Sequence, residues 1–148
     1  MVTRKLVRLI ENHCDELARA LAEKLHRSSR TAGFLVIPRE ELTHNTGDLY
    51  RNLGEWLLSK TEAEIEMRFV EVGKRRYAQK VPLDDVVWGI TMSKENLWGY
   101  LRRESLADHA LDLFNQLEFM QLLDGFFDRA IYYAVRGYEQ AKSTRAAA

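Results

Sequence analysis

Apolar residues recur along the chain at intervals of three and four rather than in alternation, which is the period of an α-helix and not of a strand. Read this way, residues 3–25 form a first helix with Leu6, Ile10, His13, Leu17 and Leu21 on one side. A stretch with Ser28, Ser29, Thr31 and Gly33 ends it, and Phe34-Leu35-Val36-Ile37 follows as an apolar tether expected to lie against the body. Pro38 suits a first helical turn, and residues 38–59 make a second helix with Glu40 and Glu41 near its positive end and a stripe of Leu42, Leu49, Leu53, Trp56 and Leu57. Thr61-Glu62-Ala63-Glu64 matches a capping box and starts a third helix, whose stripe is Ile65, Phe69 and Val72. Pro82 with Asp84 and Asp85 opens a fourth, with Val86, Val87, Ile90, Leu97, Trp98 and Leu101 inward.

Ser105-Leu106-Ala107-Asp108 reads as a fresh N-cap for a last helix over residues 106–141. At 1.5 Å per residue that helix would be roughly 50 Å long. One side carries Met120, Leu123, Phe127, Ile131, Ala134 and Tyr138, and the opposite side Leu111, Phe119, Leu122, Phe126 and Tyr133. A helix apolar on both faces is either central in its own domain or packed on a second copy of itself. Its length favours the second, so the expectation is a homodimer through Leu111, Phe119, Leu122, Phe126 and Tyr133. The fold class is therefore all-α: one bundle of about five helices with a long C-terminal helix, with a globin-like arrangement among the options. The domain spans residues 1–142, and residues 143–148 read as a disordered tail or an appended remnant.

Three charged residues disagree with their positions. Arg76 is in line with Ile65, Phe69 and Val72; Lys94 lies between Ile90, Leu97 and Leu101; Asp124 stands beside Met120, Phe127 and Ile131. Lone buried charges are strongly disfavoured, so these must pair, reach solvent along their stems, or meet a ligand. The plain reading is structural ion pairing. The sharper one is a receptor pocket in which Arg76 holds a small anionic or zwitterionic molecule bidentately, with Lys94 as a point charge and Asp124 nearby.

Composition narrows the classes. The 148 residues hold 22 Lys plus Arg and 22 Asp plus Glu, so no bulk positive potential draws the chain to nucleic acid or an acidic membrane. The basic run at residues 73–80 is spread around a helical turn and reads as a solvated helix end, so no nucleic-acid partner is expected. A single cysteine, Cys14, and no long apolar run point to a cytoplasmic protein without membrane insertion. Two Glu-x-x-His pairs, Glu23/His26 and Glu41/His44, form half of a di-iron signature, but they fall at helix ends, and no metal is expected. His13 beside Cys14 could serve a haem, a metal or a redox switch; a buried histidine with one hydrogen bond is the commoner case, and no cofactor is expected. No Gly-rich phosphate loop, zinc motif or nucleophile elbow occurs, so no catalytic residues are assigned.

Asn52-Leu53-Gly54-Glu55-Trp56-Leu57, then Gly73-Lys74-Arg75-Arg76, then Val81-Pro82-Leu83-Asp84-Asp85-Val86-Val87-Trp88, and finally Phe126-Phe127-Asp128-Arg129-Ala130-Ile131-Tyr132-Tyr133-Ala134-Val135-Arg136-Gly137-Tyr138-Glu139 occur in an order that resembles the RsbRD N-terminal domain family. The resemblance implies a non-enzymatic input module, of the kind found at the N-termini of RsbR-type co-antagonists in stress-response signalling and of some bacterial histidine kinases. It also implies that the last helix leads towards an output domain or partner protein. No ligand or catalytic residue carries over from it. The alternative reading of the residues is a small-molecule or cofactor-binding helical protein, globin-like but without haem.

Overall fold

The computed structural model describes the backbone of residues 2–104 and 110–147 and the side chains of residues 3–104 and 116–146; Ser105-Leu106-Ala107-Asp108, the Leu111 side chain and His109 lie outside the described residues. Among the described residues the regular structure is helical throughout. In order come α1 (Val2–Asn12), α2 (Cys14–Arg27), a 3₁₀ segment (Ser29–Val36), α3 (Arg39–Arg51), α4 (Leu53–Leu58), α5 (Glu62–Ala78), α6 (Leu83–Glu104) and α7 (Ala110–Ala147).

The first two expected helices are each broken in two, and the breaks have the same cause. At His13 (φ −118°, ψ 22°) the ring Nδ1–H donates to the Leu9 carbonyl at 2.9 Å, and at Asn52 (φ −109°, ψ 24°) Nδ2 donates to the Asp48 carbonyl at 2.9 Å. Each side chain thus competes with the backbone for the carbonyl four residues earlier, which loosens the ladder at that turn. The break before α4 frees the Gly54 N–H, and the Glu11 carboxylate on α1 accepts it at 2.9 Å. α1 therefore docks on α4 through a polar contact as well as through Leu6, Val7 and Leu53, all buried.

Of the apolar tether, Phe34 and Ile37 are buried, whereas Leu35 and Val36 stand more than half exposed. Asp85, in the first turn of α6, holds the segment by accepting the Gly33 N–H at 2.8 Å. Thr61 caps α5, its hydroxyl accepting from the Glu64 N–H at 3.2 Å. α5 ends in a Schellman motif: Val81 N–H bonds the Arg76 carbonyl at 3.0 Å and Lys80 N–H the Tyr77 carbonyl at 2.9 Å, with Lys80 in the left-handed region at φ 65°.

α7 is the centre of the bundle, with α5, α6, α1 and α4 packed round it. Phe119, Phe126 and Tyr133 are buried in the chain's own core with Trp56, Phe69 and Tyr100, and Leu123, Phe127 and Ala134 are buried as well. The expected dimer face is corrected accordingly: these three aromatics are covered by α1, α4, α5 and α6 of the same chain, so both apolar faces of the helix serve one protomer. Leu122 remains half-buried. The helix also continues to Ala147, through residues expected to be disordered, since Arg145, Ala146 and Ala147 favour helix and no glycine or proline there breaks it.

α5 and α7 approach closely enough for only hydrogen to fit between them. A Cβ on Gly73 would fall 2.0 Å from the Ala134 carbonyl oxygen, and one on Gly137 would fall 2.0 Å from that of Val70. A second polar cluster ties α2, α3 and α6: Tyr50 Oη donates to the Ser93 carbonyl at 2.8 Å, Asn96 Nδ2 donates to the Leu17 carbonyl at 2.9 Å, and Lys24 Nζ donates to Asn96 Oδ1 at 2.7 Å. Burial pushes the Tyr50 phenol up to about 12.

Candidate functional site

The α5 stripe carries Arg76 inward, and its side chain is only 8% exposed. Its guanidinium lies over the Phe34 ring at 5.6 Å and donates to Gln79 Oε1 at 2.7 Å. Gln79 Nε2 in turn donates to Glu41 at 2.9 Å, and that carboxylate stands 3.6 Å from Arg76. Burial, reinforced by neighbouring Arg75 and opposed by Glu41, lowers the Arg76 pKa to about 10, so the group is still a cation at neutral pH.

About two turns earlier on the same helix, Arg68 reaches the same region. It donates to Asp48 at 3.1 Å and to the Asn45 carbonyl at 3.4 Å, and its guanidinium packs over the Trp56 ring at 5.0 Å. Its Nε and the Asn45 Nδ2 are buried donors with no partner among the described residues. Such a group left unmade costs about 1–3 kcal/mol, so two at one place call for an explanation.

The Asn45 and Arg68 residues both line a cavity of about 90 Å³ between α2, α3, α5, α6 and α7 and the 3₁₀ segment. Its wall is largely apolar, with Leu21, Leu49, Phe69 and Phe127, and the charged side chains in the lining are Arg68 and Arg76. An outer groove of about 380 Å³ adjoins it and shares Asn45, Arg68, Val72 and Arg76; Asp48, Met67, Glu71 and Arg75 complete its lining. The arrangement is an apolar chamber whose lining includes two arginines and an asparagine, three of the residues it shares with the outer groove. It can hold a molecule with an acceptor at one end and hydrocarbon at the other.

Of the three charges singled out from the sequence, only Arg76 belongs to this chamber. Lys94 and Asp124 pair with each other across α6 and α7 at 3.5 Å and do not line it, so the expected three-residue pocket divides into a buried arginine site and a separate ion pair. The physical reason is that each inward charge found an opposite charge on an adjacent helix, Glu41 for Arg76 and Asp124 for Lys94. The glutamates of the two Glu-x-x-His pairs are likewise engaged with cations, Glu23 with Arg27 at 2.7 Å and Glu41 with Arg76. The sequence reading passed over Arg68 and Asn45. Arg68 stands three residues after Ile65 and four before Val72, so the helical period alone places it at the edge of the inward stripe. Asn45 had a weaker signal, one turn after Leu42 and before Leu49.

No helix among the described residues is long and apolar enough to cross a membrane. A family model described as the RsbT co-antagonist protein rsbRD N-terminal domain matches residues 7–148. Searches of curated proteins and of solved structures return no match.

Proposed function

The chain belongs to the family of RsbT co-antagonist protein rsbRD N-terminal domains, and from that membership we propose that it works as a non-catalytic input domain of a bacterial stress-signalling protein. The observation that carries the reading is the family match, which takes in every helix from within α1 to the end of α7. A long helix at the centre of the bundle supports it physically, because any change in packing around α7 alters the helix that would lead to an output domain or partner. The proposal includes a cytoplasmic setting, a small anionic ligand at the Arg76 chamber as the signal, and a homodimer, with a histidine kinase among the proteins that could carry such a domain.

Dimerisation through α7 is kept, with Leu122 retained from the expected face and Leu117 and Tyr132 added. Leu117 and Tyr132 are 52% and 56% exposed on that helix, with Leu122 half-buried.

The reading is tested in cells that carry the natural gene. Deleting the codons for residues 7–148 should abolish the stimulus dependence of a stress-response reporter while leaving its constitutive output. A reporter that still follows the stimulus after deletion would refute the input role. Incubation with a phosphorylated receiver domain should leave His13, His26, His44 and His109 unlabelled, and label on any of them would refute the non-catalytic part.

A further inference from the structure

Arg68 and Asn45 both line one apolar chamber, and each holds a buried nitrogen, Nε and Nδ2, that has no hydrogen-bond partner among the described residues. We propose that this chamber binds a short aliphatic carboxylate, whose oxygens accept from these two donors while its tail lies among Leu21, Leu49, Phe69 and Phe127.

The chemistry selects each part of that ligand. Both orphans are N–H groups, so their partner must be an acceptor, and an amine or metal cation is ruled out. Arg68 and Arg76 are the charged residues of the lining, and among the described residues no carboxylate joins them there. A carboxylate therefore gains charge-assisted bonds that an amide or alcohol of the same length does not. Asp48 and Glu41 face the outer ends of the two guanidiniums, and Glu71 lines the outer groove, which moderates the gain without removing the orphaned donors. Water alone answers the donors but not the wall, because an apolar chamber gains little from being wet. About 90 Å³ has room for only a few water- or methylene-sized groups, which keeps the tail of the ligand short.

This deepens the input-domain reading, since the carboxylate would be the input. Binding is measured on this chain alone, so its failure removes the ligand and leaves the reporter test of the input role untouched.

Heat unfolding and titration calorimetry with sodium butanoate, pentanoate and hexanoate supply the test, with pentanamide, 1-pentanol and equimolar sodium chloride as controls. At least one acid should give a saturable rise in Tm, with the amide and alcohol binding tenfold or more weakly. Asn45→Leu should weaken binding at least tenfold and, without ligand, melt at or above the wild-type temperature, because the orphan donor is gone. Should that variant not fold, Arg68→Lys keeps the charge beside Asp48, removes the Nε donor, and should weaken binding to the same degree. Lys94→Gln, at the separate ion pair, should bind as the wild type does. The proposal is overturned if none of the acids binds up to about 100 mM, which lies above the roughly 30 mM that even about 0.3 kcal/mol per heavy atom gives for pentanoate. It is also overturned if pentanamide binds as well as pentanoate, or if Asn45→Leu or Arg68→Lys binds like the wild type.

Discussion

Replacing Gly137 by alanine adds one methyl group where α7 meets α5, and that carbon would sit 2.0 Å from the Val70 carbonyl oxygen, with further Val70 backbone atoms within 2.8 Å. Carbon and oxygen rest at about 3.3 Å or more, so the helices must part by over 1 Å along this line. The obstacle is backbone on both sides, and no rotamer change relieves it. A gap of about 1 Å forfeits up to half of the dispersion energy of the atoms facing it, and overpacking of this kind costs about 1–3 kcal/mol, more where the backbone is fixed. Alanine returns up to about 1 kcal/mol of helix propensity. The net loss is taken as about 2 kcal/mol, or roughly 4–8 °C in Tm for a chain of this size. Gly125→Ala is the control on the same helix. Its added carbon would meet only Arg129 Nη1, at 3.5 Å, an ordinary contact with the end of a flexible side chain, so it should gain up to about 1 kcal/mol. Thermal and urea unfolding of the two variants decide the matter. If Gly137→Ala is as stable as Gly125→Ala, the α5–α7 crossing is not closed by backbone contact and the reasoning fails.

Lys80 at φ 65° occupies a left-handed position that glycine fills without strain; relief of about 1–2 kcal/mol, less the extra freedom of an unfolded glycine, predicts that Lys80→Gly stabilises by about 0.5–1 kcal/mol, measured by urea unfolding. Tyr50 is raised to about 12, so the unfolded chain ionises near pH 10 while the folded one keeps its proton. The stability this group contributes is full below pH 10 and is lost as pH rises to 12, by about 2–3 kcal/mol. Tyr50→Phe lacks that loss, so the stability difference between wild type and variant should shrink over pH 10–12; an unchanged difference refutes the shift. Leu117→Glu with Tyr132→Glu should convert a homodimer to monomer in light scattering while leaving helix content unchanged, since both side chains are exposed on the protomer.

The helical period was legible because burial follows it closely: Leu6, Ile10, Leu17 and Leu21, then Ile65 and Phe69, all face the core as the spacing requires. The kinks were not, because they depend on His13 and Asn52 turning back to a carbonyl of their own helix, a choice that apolar periodicity does not record. The inward position of Arg76 was readable from its register, but of its partners only Gln79, three residues on at the C-cap of α5, is local; Glu41 comes from α3 and depends on how that helix is placed. The two-faced α7 was read correctly as a pattern and assigned to the wrong partner. The length of the helix pointed to a second copy, whereas α1 and α4, set off by the breaks at His13 and Asn52, pack on it within the one chain. Gly73 and Gly137 showed themselves only as members of longer motifs, since a glycine required by a neighbouring backbone looks in sequence like any other.

The chamber and the α5–α7 crossing share one stretch of α5. Phe69, Val72 and Arg76 face the chamber, while Val70 and Gly73, on the adjoining side, seat against Gly137 and Ala134 of α7. Phe127 closes the chamber from α7 itself. A ligand that moves the chamber wall therefore moves α5, and a crossing already at backbone contact has no slack to absorb that displacement as closer approach. What remains is sliding or rotation of α7 against α5, and in a close-packed interior such motion goes between discrete packings rather than by continuous yielding. On the proposed reading this is the route from input to output, with an energetic condition attached. A carboxylate that binds one packing tenfold better than the other shifts their ratio by at most tenfold, or about 1.4 kcal/mol, so the unliganded domain must keep the two packings within a few kcal/mol of each other. The two orphaned donors supply part of that balance: leaving them unmade raises the energy of the empty packing, and filling them lowers the energy of the packing that holds the ligand.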